Sequence, residues 1–169
     1  RDASVDWLAC RLVRVTWVGI GCGWGLGIEI LLTLGAAHVT SFDLDPVTVV
    51  LAHQRVLKYG DRASIFVGDA ETIAAPDATF DVVVDYGVMH HISHWRQALK
   101  EIGRVLKLGG VFYFEDLLKD LITSAPMRTL FEHPHVAQFT SSMFRIGLKA
   151  AGLQVRQWRQ WGFMGQASK

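Results

Sequence analysis

Hydrophobic residues along this chain alternate between short β-rich runs and longer runs with helical spacing. The predicted strands are, in order, Val13–Ile20, His38–Asp43, Ser64–Val67, Phe80–Tyr86 and Val111–Glu115. The predicted helices between them are Gly25–Leu34, Pro46–Tyr59 and Ser93–Leu106. Strands that alternate with helices in this way need right-handed crossovers and form a parallel sheet with helices on both faces. The pattern therefore predicts an α/β fold with three layers.

Several residues have the chemistry of helix ends. Asp45 precedes Pro46, whose fixed φ suits a first helical turn, and Ser93 is placed to cap the helix that follows it. We expect Gly109 and Gly110 to end that helix and to start the next strand. These signals give the expected boundaries of two crossover helices.

The last third of the chain follows a different pattern. Thr140 or Ser141 is expected to cap a helix that runs to Ala150. Two β-like runs, separated by a single glycine, then predict an antiparallel hairpin. These runs are Leu153–Trp161 and Phe163–Ser168, with Gly162 between them. The segment Leu117–Phe139 has no pattern that assigns it to a helix or a strand.

Length and composition fit one globular domain over residues 1–169. Half of the residues are hydrophobic and 20% are charged, which excludes a disordered chain. The longest uncharged stretch, Val15–Ile28, is too short and too rich in glycine for a membrane span. Two cysteines, Cys10 and Cys22, cannot form a disulfide framework, so we expect a cytoplasmic protein.

A glycine turn follows the first predicted strand and opens the first predicted helix. Gly21, Gly23 and Gly25 alternate with Cys22 and Trp24 in this turn. Because glycines let backbone N–H groups approach a ligand at a helix N-terminus, we expect a ligand there. The dinucleotide motif GxGxxG needs a further glycine at the fifth position after the first, and no register supplies it. The spacing therefore disfavours a nucleotide-dependent oxidoreductase.

Two acidic residues follow the next two predicted strands. Asp43 ends the second strand, at the distance from Gly21 where an acid accepts hydrogen bonds from ribose hydroxyls in nucleotide-binding sheets. Asp69 and Ala70 follow the third strand, in a loop within reach of an adenine. Both acids are expected at the carboxyl edge of the sheet, beside the glycine turn.

These segments resemble the class I S-adenosylmethionine-dependent methyltransferases, in particular the small-molecule branch that includes ubiquinone- and menaquinone-biosynthesis-like enzymes. The resemblance runs from about Val13 to Glu115. It is carried, in the family's order, by Ile20–Gly25, Val39–Pro46, Val67–Ala70, Phe80–Tyr86, His90–Ile92 and Arg104–Gly110. It implies a Rossmann-like three-layer sandwich, with a seven-stranded, mostly parallel sheet whose C-terminal antiparallel hairpin supplies the last two strands.

The resemblance also implies S-adenosylmethionine as the cofactor and S-adenosylhomocysteine as its product. The glycine turn would cradle the methionine and ribose portions, Asp43 would bind the ribose hydroxyls and Leu44 would flank the adenine. Asp69 would accept a hydrogen bond from the adenine amino group, with Ala70 beside it. The implied cofactor-binding residues are Gly21, Cys22, Gly23, Gly25, Asp43, Leu44, Asp69, Ala70 and Asp85.

The chain departs from the family's pattern in two places. Gly19 stands where the family usually has Asp or Glu, a carboxylate that helps to organise the methionine ammonium region. The segment before the first predicted strand is short, where the family usually has a longer helical segment that closes over the cofactor. We therefore expect a short or missing N-terminal lid. The alternative function is a non-catalytic cofactor- or partner-binding module on the same fold.

Methyl transfer is an in-line displacement, so the enzyme contributes mainly positioning, desolvation and charge complementarity. A general base is needed only if the acceptor must lose a proton near the transition state. By the resemblance, Tyr86 would face the incoming nucleophile, and the predicted catalytic residues are Tyr86, His90 and His91. Further candidates for the base are Glu115 and Asp116. No metal is expected, because the adjacent histidines diverge and no third ligand stands at a suitable spacing.

The methyl acceptor is expected to be a small molecule. An Asn/Asp-Pro-Pro-Tyr segment after the fourth strand, the usual sign of an amide nitrogen acceptor in a nucleic acid or protein, is absent. The basic and aromatic run 156–161 would put Trp158 and Trp161 on opposite faces of a strand, which favours packing over a nucleic acid platform. The sequence carries no signal for the oligomeric state.

Overall fold

The computed structural model describes residues 15–116, 139–159 and 164–169. Seven strands form one sheet in the order β3-β2-β1-β4-β5-β7-β6. The strands are β1 Trp17–Ile20, β2 Val39–Asp43, β3 Ala63–Val67, β4 Phe80–Tyr86, β5 Leu106–Glu115, β6 Gln154–Arg159 and β7 Met164–Ser168. The α-helices are α1 Leu26–Thr33, α2 Pro46–Val56, α3 Trp95–Val105 and α4 Ser141–Ala150, with 3₁₀ turns at Leu57–Arg62 and Met89–His91.

The strand directions confirm the predicted sheet. Strands β1 to β5 pair in parallel, and β7 runs antiparallel to both β5 and β6. The predicted turn at Gly162, the start of the first predicted strand at Val13, and Leu117 to residue 138 lie outside the described residues. Because β1 and β4 are neighbours but not successive in the chain, the sheet reverses its winding between them. A ligand in such a sheet binds at the carboxyl edge beside this reversal.

Two predicted helix caps are confirmed. The Asp45 side chain accepts a hydrogen bond from the Val47 N–H at 2.9 Å, with Pro46 in the first turn of α2. The Thr140 hydroxyl accepts from the Met143 N–H at 3.3 Å and caps α4. Both side chains satisfy N–H groups that a helix leaves without an intrahelical partner.

Two predicted boundaries of α3 are wrong. The helix begins at Trp95 rather than after a Ser93 cap, because Glu71, from the distant loop after β3, accepts a hydrogen bond from the His94 N–H at 3.0 Å. The helix ends at Val105, and β5 follows it directly. Gly109, with φ of 77°, therefore lies inside β5, near an irregularity in its pairing with β4.

Both faces of the sheet are covered. On one face α1 and α2 bury Ile28, Leu31 and Val49 together with Val84 of β4. On the other face α3 and α4 form an aromatic core, whose rings include Trp95, Phe112, Phe114, Phe139 and Phe144. The Trp158 ring packs edge-on against Phe114, with centroids 5.7 Å apart, in agreement with the predicted packing role of Trp158. Trp161 lies outside the described residues.

The contact between α3 and the end of α4 gives a test of this packing. An alanine Cβ at Gly103 would lie 2.3 Å from the Ala151 carbonyl oxygen, which is backbone. In an open helix Gly→Ala stabilises by about 1 kcal/mol, but this overlap costs about 1–3 kcal/mol. We expect Gly103→Ala to lower the free energy of unfolding in urea, whereas Lys100→Ala on the exposed side of α3 should change it by less than about 0.5 kcal/mol. A Gly103→Ala protein more stable than the wild type would contradict this packing.

Candidate functional site

The glycine turn joins β1 to α1 at the carboxyl edge of the sheet. Gly21, Gly23 and Gly25 have φ values of 68°, 47° and 81°, in the left-handed region that favours glycine. The Cys22 N–H donates to the Phe42 carbonyl at 2.8 Å, which ties the turn to the end of β2. Gly25 is the N-cap of α1, so the helix N-terminus opens at this turn.

Close neighbours explain which of these glycines cannot carry a side chain. A Cβ at Gly21 would lie 2.4 Å from Val88 Cγ2 and 3.0 Å from Val88 Cγ1. A Cβ at Gly23 would meet nothing within 4 Å. The loop after β4 therefore presses directly on Gly21, while Gly23 faces open space at the sheet edge.

The Asp43 carboxylate organises the same turn from the end of β2. Its Oδ2 accepts a hydrogen bond from the Gly23 N–H at 3.0 Å, and its Oδ1 accepts from the Asp45 N–H at 3.2 Å. Each carboxylate oxygen has a second lone pair, so Asp43 keeps the capacity to accept from hydroxyl groups. The acid and the glycine turn come from different βα units of the chain, yet the fold joins them into one unit.

A cavity of about 410 Å³ lies over the ends of β1, β2 and β3, and we call it the carboxylate cavity. Its volume falls in the range of about 300–1,000 Å³ that is typical of small-molecule sites. The predicted site residues that line it are Gly21, Asp43, Leu44, Asp69, Ala70 and His91. The structure therefore brings together residues from four separate loops.

Asp69 contributes the second carboxylate of this cavity. Its Oδ1 accepts a hydrogen bond from the Glu71 N–H at 2.8 Å, which holds the loop after β3 in a tight turn. Oδ2 has no hydrogen-bond partner within the ranges 15–116, 139–159 and 164–169. Asp69 can therefore accept a hydrogen bond from a ligand without losing its own turn.

A second cavity, of about 330 Å³, lies between α1 and the sheet, and we call it the glycine cavity. The predicted site residues that line it are Gly21, Cys22, Gly23, Asp43 and Tyr86. Gly19 and Ser41 also line it, and the Ser41 hydroxyl donates to the Gly19 carbonyl at 2.8 Å. A Cβ at Gly19 would lie 2.8 Å from Ser41 Oγ, so the serine occupies the space that a larger residue 19 would need.

The Cys22 thiol is buried in the wall of the glycine cavity. Burial, reinforced by the negative charge of Asp43, raises the pKa of Cys22 from 9.0 to about 12. Near pH 8 the thiolate fraction is then about 1,000-fold smaller than for an ordinary cysteine. In a Cys10→Ser background we expect iodoacetamide to alkylate the native protein about 1,000-fold more slowly than the urea-unfolded protein. A native rate within tenfold of the unfolded rate would show that the thiol is not buried in this way.

Tyr86 lines the glycine cavity, and His91 lines the carboxylate cavity. The Tyr86 ring packs on Gly27, where a Cβ would be 2.8 Å from Tyr86 Cε2, and the side chain is half exposed. Burial and the nearby Glu115 charge raise the pKa of the Tyr86 phenol. His91 is exposed and lines the carboxylate cavity. Of the three predicted catalytic residues, these two therefore border different cavities.

Asp85 and His90 belong to a buried cluster behind these cavities. His90 Nδ1 lies 2.5 Å from Asp116 Oδ1, and the His90 N–H donates to Asp116 Oδ2 at 3.2 Å. The Asp85 carboxylate is fully buried, accepts from the Val88 N–H at 2.9 Å, and lines neither cavity. Burial, and then the charge of Asp116, raise the pKa of Asp85 well above its usual range.

The sequence analysis missed the pair Glu71 and His94, whose contact joins the loop after β3 to the loop after β4 at the carboxylate cavity. The Glu71 carboxylate accepts from the His94 N–H at 3.0 Å and lies 2.8 Å from His94 Nδ1, and both residues line the cavity. The hydrogen bond from His94 lowers the pKa of Glu71. An acid two positions after Asp69 was the available signal, but only the fold places it beside the loop after β4.

The described part of the chain holds neither a cluster of metal ligands nor a helix that could span a membrane. Within the ranges 15–116, 139–159 and 164–169, no three His, Cys, Asp or Glu side chains are arranged to hold a metal ion. In the same part of the chain, none of the helices has the length and apolar character that crossing a membrane requires.

Comparison with known proteins adds independent findings. The family described as "Methyltransferase domain" matches residues 18–114. A probable S-adenosylmethionine-dependent methyltransferase of Mycolicibacterium smegmatis is 34% identical over 136 residues, which cover 80% of this chain and 50% of that protein. The ubiquinone biosynthesis O-methyltransferase of Parvibaculum lavamentivorans is 30% identical over 118 residues, which cover 68% of this chain and 46% of that protein.

Solved structures agree in fold. The crystal structure of an S-adenosylmethionine dependent methyltransferase from Mesorhizobium loti matches 99% of this chain and 96% of that chain, with a TM-score of 0.78 and 14% identity. At that identity the likeness concerns the fold. The chain spans half or less of the length of these two curated relatives.

Proposed function

The chain belongs to the class I S-adenosylmethionine-dependent methyltransferases, and from that premise we propose that it transfers a methyl group from S-adenosylmethionine to a small-molecule acceptor. The proposal includes the cofactor-binding roles of Gly21, Gly23, Asp43 and Asp69. It also takes residues 1–169 as one methyltransferase domain in the cytoplasm.

One observation carries this proposal. The carboxylate cavity combines Gly21, from the glycine turn at the N-terminus of α1, with the carboxylates of Asp43 and Asp69, which keep acceptor capacity toward a ligand. The acceptor pair suits a nucleoside, because ribose hydroxyls and an adenine amino group are both donors. The glycine turn suits the adjoining portion of the cofactor, because Gly23 lines the neighbouring glycine cavity and its backbone faces open space there.

The residues of the chain supply positioning rather than bond chemistry. When bound, S-adenosylmethionine supplies a methyl group on a positively charged sulfur, so its leaving group is already activated. Asp43 and Asp69 would fix the nucleoside, and Tyr86 and Val88 would shield the neighbouring wall from water. His91, in the cavity wall, would take up a proton that the acceptor loses, and His90 lies buried behind it.

The ubiquinone O-methyltransferase relative favours the small-molecule branch of the family for this chain. Ser41 bears on the departure at Gly19. Its hydroxyl supplies a polar group to the glycine cavity at a point where the usual acid is absent. We propose that the cofactor binds in spite of that substitution.

Methyl transfer can be measured with tritiated S-adenosylmethionine and a panel of catechols, phenols and primary amines. We expect label in the organic product with the wild type, and none with Asp43→Ala. The Asp77→Asn variant, which changes an exposed acid remote from both cavities, should retain the activity. Binding of S-adenosylhomocysteine with no transfer to any acceptor would favour the non-catalytic module instead.

A further inference from the structure

The loop between β3 and β4, residues 68–79, is tied to helix α3 by one arginine. Arg104 lies in the last turn of α3, and its guanidinium reaches back to this loop. Nη2 donates to the Ile73 carbonyl at 2.8 Å, and Nη1 donates to the Ala75 carbonyl at 2.7 Å. Nη1 also donates to the Asp77 carboxylate at 2.9 Å. A single side chain of α3 therefore binds three residues of the loop.

Glu101, one turn earlier on α3, binds both the arginine and the loop. Its Oε1 accepts from Arg104 Nε at 2.8 Å, and its Oε2 accepts from Arg104 Nη2 at 2.7 Å, so the two side chains form a bidentate pair. Oε2 also accepts from the Ile73 N–H at 2.9 Å. The hydrogen bonds from Arg104 lower the pKa of Glu101, which keeps the carboxylate ionised. We call Glu101 and Arg104 the α3 clamp.

The α3 clamp binds the loop close to the carboxylate cavity, although neither of its residues lines that cavity. Ile73 is bound through both its N–H and its carbonyl, four positions after Asp69. The turn between them is bonded within itself, since the Thr72 N–H donates to the Asp69 carbonyl at 3.1 Å and the Glu71 N–H donates to Asp69 Oδ1 at 2.8 Å. The Glu71 carboxylate joins the same turn to His94, at the start of α3. The position of Asp69 is therefore set from α3.

The direction of the Asp69 carboxylate matters because only one of its oxygens faces a ligand without a bond of its own. Oδ1 is used inside the turn, which leaves Oδ2 for a donor in the cavity. A hydrogen bond weakens steeply when its distance or angle changes, so a small shift of the loop weakens the bond from an adenine amino group. We infer that Glu101 and Arg104 are positioning residues that set the selectivity of the carboxylate cavity for adenine. This inference rests on the proposed function.

Binding of two nucleosides to Arg104→Lys tests this inference. Lysine keeps the positive charge, but one ammonium group cannot replace the five N–H donors of a planar guanidinium. S-Inosylhomocysteine has a carbonyl in place of the adenine amino group, so it has no donor for Asp69 at that position. We expect Arg104→Lys to bind S-adenosylhomocysteine about tenfold more weakly than the wild type does, and S-inosylhomocysteine within about twofold. In calorimetric titration the ratio of the two dissociation constants should fall about fivefold or more.

Arg62→Lys is the matched control for a purely structural effect. Arg62 also donates to backbone carbonyls, those of Leu32 and Ala36 near the C-terminal end of α1, and it lines neither cavity. A loss of stability lowers the folded fraction for both nucleosides alike, so it leaves the ratio of their dissociation constants unchanged. We therefore expect the wild-type ratio in Arg62→Lys. Glu101→Gln, which removes the charge from the other half of the α3 clamp, should lower the ratio as Arg104→Lys does.

Hydrogen exchange at the Ile73 amide tests the α3 clamp in the wild-type protein without any ligand. We expect this N–H to exchange at least about 100-fold more slowly than in an unfolded chain. Exchange at the unfolded rate would overturn the inference, even if neither clamp variant folds. A wild-type selectivity for adenine that both clamp variants retain would overturn it as well, and would leave the proposed function intact. A folded wild type that binds neither nucleoside would overturn the proposed function and this inference together.

Discussion

Replacing Gly21 with alanine is expected to abolish binding of S-adenosylhomocysteine and to lower the free energy of unfolding by about 2–5 kcal/mol. The left-handed backbone costs an alanine about 1–2 kcal/mol, and overpacking costs about 1–3 kcal/mol more. The overpacking arises because the new Cβ would lie 2.4 Å from Val88 Cγ2, and a short, branched valine cannot move aside alone. The loop after β4 must therefore shift, and with it the wall of both cavities.

Gly23→Ala is the matched control for this prediction. Gly23 has a similar left-handed backbone, but a Cβ there would meet nothing within 4 Å. Its free energy of unfolding should fall by only about 1–2 kcal/mol. Urea unfolding and calorimetric titration of both variants make the comparison. Equal losses of stability at the two positions would contradict the contact between Gly21 and Val88.

Recognition of the adenine amino group by Asp69 gives the second large effect. S-Inosylhomocysteine carries a carbonyl in place of that amino group. Its carbonyl oxygen cannot donate to the Asp69 carboxylate, so the complex loses a charge-assisted hydrogen bond that contributes about 1.5–3 kcal/mol. We expect the wild type to bind this analogue about 10–150-fold more weakly than S-adenosylhomocysteine. In Asp69→Asn the amide can donate to the carbonyl, so the ratio should fall to about threefold or less.

Asp45→Asn controls for the general effect of removing an acid from this edge. Asp45 caps α2 through the Val47 N–H and belongs to neither cavity, and asparagine is an equally good cap. The preference for the adenine compound should therefore persist in Asp45→Asn. If the wild type binds S-adenosylhomocysteine and S-inosylhomocysteine equally well, Asp69 does not recognise the adenine amino group.

The parallel direction of the first five strands follows from the sequence, because each βα unit carries its own pattern. Asp45 and Thr140 show the same locality, since a cap acts on N–H groups two or three positions away. The prediction that Ser93 caps α3 was wrong because Glu71, from another loop, accepts the hydrogen bond from the His94 N–H at the start of that helix. The residue types near a helix start do not reveal an acid that comes from a distant part of the chain and reaches the helix only in the folded protein.

The same distinction holds within the site. The position of Asp43 and Asp69 at the carboxyl edge was predictable, because each ends or follows a parallel strand and all such ends meet at one edge of the sheet. The pairing of His90 with Asp116 was not predictable from spacing, since the whole of α3 and β5 separates them in the chain. The contact between Ser41 and Gly19 also depends on β1 and β2 lying side by side, in a register that could not be predicted from the sequence.

Calorimetric titration of the purified chain with S-adenosylhomocysteine tests the central claim most directly. The account predicts binding at about micromolar concentration, a loss of at least about 30-fold in Asp43→Ala, and no binding of NAD, whose GxGxxG motif the chain lacks. Circular dichroism shows whether each protein is folded. A folded wild type that does not bind S-adenosylhomocysteine, or an Asp43→Ala variant that binds it equally well, would contradict the proposed cofactor site.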